Sequence, residues 1–264
     1  MRRKLMLTLA LAAALSVGVV AVANAVQITL RAGNVVTTFG GDTSPKALPK
    51  NKYAPIKTHF FGKISTANGN HPPALREVEF DVDKDVKINV KGLAACKPGQ
   101  LEARNTAAAL KVCGKSKIGS GIAHAEIAFP EQKPILIKSP LTVFSGGEKG
   151  GKVKLLIHIF ITVPVPAAVV TDVTITKKGT GIHTVSKIPV VAGGSGSAID
   201  FDFTVGKTFA YKGKKLGYSE AKCPDGVFKA KVNKILFKNE AQTPGEAAQT
   251  TLKGSLAVPC TPKG

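Results

Sequence analysis

The sequence predicts an all-β fold: an antiparallel β-sandwich of jelly-roll-like architecture, with one short disulfide-flanked helix. Three observations carry this. From residue 26 onward the chain divides into short runs rich in Val, Ile, Thr and Phe, residue types that suit a pleated, half-buried surface. Turns rich in Gly and Pro separate the runs, drawn from 27 Gly and 16 Pro, as expected for many short strands. Only one stretch carries a helical period.

The first element is a leader. Arg2, Arg3 and Lys4 precede an unbroken run of apolar and small residues from 5 to 22, and Ala23-Asn24-Ala25 reads as a cleavage site. This is the pattern of a secretory signal peptide. Residues 1–25 are expected to be removed, leaving 26–264 as a secreted all-β domain, continuous or with two lobes. The remaining 239 of the 264 residues are enough to bury a core. No Cys stands directly after the cleavage site to accept a lipid, and the chain does not end in an apolar tail.

Strands are expected at 26–31, 59–64 and 76–82, with His71-Pro72-Pro73 as a turn before the third. Residues 40–55, rich in Gly, Pro, Lys and Asn, read as an irregular surface loop. Further strands are expected at 122–129, 135–144, 153–163 and 169–176, with 145–151 as a flexible hairpin loop. The last fall at 182–191, 198–205, 227–237 and 251–258. Residues 155–170 form the most apolar internal stretch, but they are too few for a membrane span and are interrupted by His158, Pro164 and Pro166. A buried strand followed by a Pro-bounded turn is expected there. The single helix is expected over 98–111, with Pro at its start and Leu101, Ala108 and Val112 at helical spacing.

Four cysteines punctuate this pattern: Cys96, Cys113, Cys223 and Cys260. In an exported chain an even count implies disulfides. Three pairings are open; the local one, Cys96–Cys113 with Cys223–Cys260, is expected because each pair brackets a closed unit. A zinc site needs more closely spaced thiolates than these.

The pattern Gly92-Leu93-x-x-Cys96, the Ala-rich helix, Cys113 and Ile118-Gly119-Ser120-Gly121-x-Ala123 resembles uncharacterised secreted proteins of actinobacteria. So do Leu141-x-Val143-Phe144-x-Gly146, Leu155-Leu156-Ile157-His158, Ile188-Pro189, Gly193-Gly194-x-Gly196 and Tyr218-x-x-Ala221-x-Cys223-Pro224-x-Gly226. The resemblance spans most of the exported chain. It implies a secreted all-β protein and carries no catalytic residue with it.

Candidate chemistry begins with Glu77, Glu79, Asp81, Asp83 and Asp85, acidic at every odd position. On a strand all five would share one face. A solvated face paired across the sheet with lysines is the principal reading. Asp81, Asp83 and Asp85 also have the opening spacing of a calcium loop, although Val86 stands where the turn Gly belongs and Gly92 where the closing Glu belongs. A glycosidase carboxylate pair is the third reading, disfavoured because a straight ladder is not a cleft.

Other motifs fail. Gly217-Tyr218-Ser219-Glu220-Ala221 ends in Ala, and Pro224 blocks the helix a nucleophile elbow requires. Gly114-Lys115-Ser116 and Gly206-Lys207-Thr208 lack the glycine five positions earlier that a phosphate loop needs. His59, His71, His124, His158 and His183 are scattered, so each is read as a hydrogen-bonded structural residue. No cofactor is expected.

Net charge is +20, falling to +17 without the leader's three basic residues. Only Arg31, Arg76 and Arg104 are then arginine; thirty-one lysines supply the rest, spread along the chain. Lysine is a hydrated point charge and lacks the bidentate fork of arginine. Two readings of this charge stand side by side, charge for solubility alone and loose attraction to anionic cell-envelope polymers or lipid head groups; specific nucleic-acid binding is not expected, because stacking aromatics interleaved with Arg are missing. The chain has no Trp and three Tyr, which argues against an aromatic sugar platform. The expected function is a non-enzymatic envelope or extracellular protein with a binding or structural role. A hydrolase acting on an extracellular polymer and a calcium-binding β-domain are the alternatives.

Overall fold

Alternating apolar and polar side chains run along most of the chain, and the strands they form pair into one long sheet. The computed structural model describes residues 26–129 and 132–264; the expected signal peptide lies outside them. Strands β1 (Val26–Ala32), β2 (Val35–Ser44), β3 (Ala47–Pro49), β4 (Ala54–Thr66), β5 (Ala74–Val82) and β6 (Val86–Ile88) precede the helix α1 (Thr106–Cys113). Then come β7 (Lys117–Ile127), β8 (Ile135–Lys149), β9 (Lys152–Ile161), β10 (Ala167–Lys178), β11 (Gly181–Lys187) and β12 (Gly196–Val205). The last are β13 (Thr208–Tyr211), β14 (Lys214–Gly217), β15 (Ser219–Ala221), β16 (Val227–Lys238), β17 (Gln249–Pro259) and β18 (Thr261–Lys263).

The main path is β1-β2-β4-β12-β7-β8-β9-β10-β11-β5-β16-β17, antiparallel at every step. Its two ends meet. A β-carbon on Gly254 of β17 would lie 2.8 Å from Ile28 Cδ1 of β1, so glycine allows the two outer strands to pack. The sheet is thereby nearly closed into a barrel-like sandwich.

Two apolar groups fill the interior. Leu141, Val143, Leu155, Val173 and Val205 form one; Val35, Ile64, Val232, Phe237 and Leu252 form the other. Opposite faces of β8 and β9 are also buried. Phe144 and Leu156, which alternate with Val143 and Leu155, pack outward against Leu101 and Ala109. This explains the unbroken apolar run of β9: both of its faces are covered.

The helix begins later than expected. Pro98 opens only a one-turn 3-10 segment, Pro98–Gln100, and Ala103 then takes a positive φ of 57°. Asn105 restarts the chain as a helix cap, its side chain accepting the Ala108 N–H. Both disulfides are local, Cys96–Cys113 and Cys223–Cys260.

Two loop expectations and one strand end are corrected. Residues 40–44 continue β2, because Gly40 and Gly41 pair with Phe61 and Phe60 of β4; the irregular stretch starts at Pro45 and holds β3. Residues 145–149 continue β8, leaving only Gly150 and Gly151 as the turn. Residues 188–191 leave the sheet after β11.

We expect non-reducing peptide mapping to recover the two local cystines. Replacing Cys96 and Cys113 by Ser should cost roughly 3 kcal/mol of stability by chain-entropy arguments. Asn105→Ala should cost about 1 kcal/mol; denaturant unfolding measures both.

Candidate functional site: a basic end

The acidic residues are engaged within the fold. Glu77, Glu79 and Asp81 do share an outer face of β5, between β11 and β16. Lys234 Nζ lies 3.0 Å from Glu77 and 3.9 Å from Glu79. Asp81 meets His183 at 2.6 Å and Lys178 at 2.9 Å. On the same side of the sheet Lys154 pairs with Asp172 at 2.9 Å. In this belt of cross-strand pairs four carboxylates share three lysines, so most of the charge cancels locally.

The expected five-carboxylate face shrinks to these three because β5 ends at Val82. Asp83 sits in the following turn and accepts the backbone N–H groups of Asp85 and Lys229. Asp85 is buried and lies 3.4 Å from Lys222 Nζ. Asp81, Asp83 and Asp85 therefore face separate partners. Among the described residues no group of three or more His, Cys, Asp or Glu is placed to hold a metal ion.

Each histidine also has a partner. His124 meets Asp200 at 2.5 Å, His71 meets Glu126 at 3.1 Å, and buried His158 reaches the Arg104 carbonyl at 2.9 Å. Burial holds the His158 pKa below its ordinary value, against the opposing pull of that carbonyl. His59 lies 3.0 Å from Asp202 and 3.9 Å from Asp42. With Ser44, Lys57 and Thr204 these three line an open surface dish of about 560 Å³. Ser219 is buried in β15, paired between β4 and β6.

The lysines form the larger constellation. In an antiparallel path, successive connections alternate between two ends. One end carries residues 33–34, 67–73, 128–134, 162–166, 188–195 and 239–248. The other carries 45–53, 83–116, 150–151, 179–180, 206–226 and the chain terminus after β17. This second, basic end holds fifteen lysines and Arg104 against Asp83, Asp85, Glu102, Glu220 and Asp225, a net of +11. At the first end the described connections hold Lys133 against Glu240 and Glu246.

Local packing gathers part of the basic end into one lobe. The β13–β14 hairpin carries Lys212, Lys214 and Lys215 around a turn with positive φ at Lys212 and Gly213. Its Tyr211 ring docks on Gly92, where a β-carbon would lie 2.4 Å from the ring, which brings Lys91 alongside. Lys207 donates to the Lys115 carbonyl at 2.7 Å. The two segments that resembled phosphate loops thus become neighbours, and both bring lysines to this lobe. None of these lysines has a carboxylate partner among the described residues.

Linear reading saw the lysines only as dispersed. A signal was present: clusters recur at 50–52, 84–87, 115–117, 149–152, 177–178 and 212–215. That spacing is roughly thirty residues, the length of two strands with their turns, which returns the chain to the same end. No family model, curated protein or solved structure matches this chain.

Asp81 provides a pH test of the belt. Burial works against its charge, but hydrogen bonds involving Asn233, Lys178 and His183 outweigh that and hold its pKa at about 2, below the ordinary 3.8. A depressed carboxylate pKa stabilises the fold above the unfolded value, and the effect is lost as pH falls toward 2. Allowing for solvent screening, we expect Asp81→Asn to remove roughly 1–2 kcal/mol at neutral pH and to flatten the loss between pH ~4 and ~2. Urea unfolding across that range measures it.

Proposed function

We propose that this is an exported, non-enzymatic protein that binds anionic polymers or lipid head groups of the cell envelope through its basic end. The carrying observation is the partition of charge: the belt of carboxylates is internally paired, while the connections of one end hold a net of +11. Export is supported by the leader, by the two disulfides, which need an oxidising compartment to form, and by the resemblance to secreted actinobacterial proteins. The ligand class follows from the side chains. Lysine ammonium groups on the tips of separate connections attract phosphate or carboxylate groups along an extended ligand without fixing the geometry of any one. The dish around His59 supports the hydrolase alternative only weakly, because it is open and shallow.

Binding should be strong at low salt and fall steeply by ionic strengths where the Debye length is ~8 Å. Lys212→Glu with Lys214→Glu and Lys215→Glu should abolish co-sedimentation with anionic vesicles or cell-wall fragments. Lys133→Glu with Lys138→Glu and Lys238→Glu makes the same change in net charge away from the basic end and should leave most of the binding. Equal loss in both triple variants would show that total charge, not its location, governs the interaction. Binding that is absent at low salt would remove the proposal.

A further inference from the structure

The end opposite the lysines is apolar at its tip, where Leu136, Val163, Val165 and Val190 are exposed. Asparagines tie the turns of this apolar end together, and Glu246 is their hub. Its Oε1 accepts from Asn34 Nδ2 of the β1–β2 turn and from Asn68 Nδ2 of the β4–β5 turn, each at 3.2 Å. Asn70 Nδ2 donates to the Pro244 carbonyl at 3.3 Å. Three connections far apart in sequence thus meet at one carboxylate, whose described side-chain partners are amides rather than cations. Asn68-Gly69 is also the one Asn-Gly pair in the chain, and both residues are exposed.

The Asn68 carboxamide is held at both of its polar atoms. The Asn70 N–H donates to its Oδ1 at 3.1 Å, an Asx turn that folds the side chain forward along the backbone, while Nδ2 is on Glu246. Gly69 has no side chain to shield its nitrogen, and its φ of 76° is one that glycine adopts freely. The Gly69 N–H is held only by a 3.3 Å bond to the Thr66 carbonyl, long for such a bond. We propose that Asn68 is a site of spontaneous modification, at which the Gly69 nitrogen displaces the side-chain amide and the turn converts to aspartate and isoaspartate. Hydroxide removes the Gly69 proton, and the nitrogen bonds to Asn68 Cγ, closing a five-membered succinimide. Charge gathering on Oδ1 meets the Asn70 N–H. The Cγ–Nδ2 bond then breaks; Nδ2 takes a proton from water and leaves as ammonia, which restores the hydroxide. A second water opens the ring at either carbonyl. The new carboxylate replaces a hydrogen-bond donor to Glu246 with a like charge, and isoaspartate adds a carbon to the backbone. Both changes loosen the junction of the three connections.

Incubation of the folded chain beginning at Val26, followed by tryptic mapping of peptide 64–76, tests the inference. Two new forms of that peptide are expected, each with the mass change of NH replaced by O, while the other asparagines, none followed by glycine, stay intact. The rate should rise about tenfold from pH ~7 to ~8, because the attacking nitrogen must first lose its proton. Conversion should lower Tm by roughly 2–4 °C. Asn68→Gln, which keeps an amide but lengthens the ring to be closed, should stop both the conversion and the drift in Tm. Glu246→Gln still offers an oxygen to Nδ2, so conversion should continue while its effect on Tm shrinks. Co-sedimentation with anionic vesicles, which the proposed function assigns to the far end, should not change with conversion. Folded chain should convert at least as fast as chain unfolded in guanidinium chloride. Slower conversion when folded would overturn the inference, since the turn would then protect the amide; conversion without any fall in Tm would overturn the loosening.

Discussion

Antiparallel pairing at every step of a sheet that nearly closes on itself is the constraint from which the other properties of this protein follow. Each strand must begin at the end where its neighbour in the sheet stops, so every connection is assigned to one of two ends. Packing of Ile28 on Gly254 brings the two outer strands, β1 and β17, against each other. It also encloses the apolar interior, which leaves the outer face of the strands for charged pairs. The path strands, seven to fifteen residues long, hold the ends about 20 Å or more apart. That exceeds two Debye lengths at physiological ionic strength, so salt largely screens one end from the other.

The outer belt preserves this polarity. Were Glu77, Glu79, Asp81 and Asp172 unpaired, they would offset the lysines at the basic end from the side of the barrel. Each instead has a cation within 4 Å. Cross-strand pairing keeps their charge local, because close opposite charges cancel at distance. The lysines on the connections have few such partners, and their field survives into solvent.

Strand-forming segments and the disulfide pairing were legible in the sequence, because β-branched runs and local cysteine spacing act over short distances. The alternation of β5 was legible for the same reason. Its end at Val82 was not: Asp83 leaves the ladder to accept two backbone N–H groups, one of them from Lys229, far along the chain. The extension of β2 through Gly40 and Gly41 was hidden because glycine reads as a turn, whereas here it permits close approach of β4. Helix α1 was misplaced by its proline; Pro98 suits a helix start, but the positive φ of Ala103 breaks the segment before Asn105 can cap it. The lysine-rich end was hidden for a different reason. It is a property of topology, and only strand order turns a period of roughly thirty residues into one surface.

Topology also explains where the disulfides fall. Connections at the apolar end are short and need no covalent support. The basic end carries the two longest, 83–116 and 206–226. Their lysines also repel one another, a cost that rises as salt falls. Cys96–Cys113 lies wholly within the first connection, and Cys223–Cys260 fastens the second to the end of the chain. A cross-link limits the freedom of the unfolded chain independently of ionic strength. It can therefore hold these loops under the low-salt conditions where their mutual repulsion is greatest and their attraction to an anionic ligand is strongest. Covalent support and uncompensated charge thus occupy the same end of the sheet.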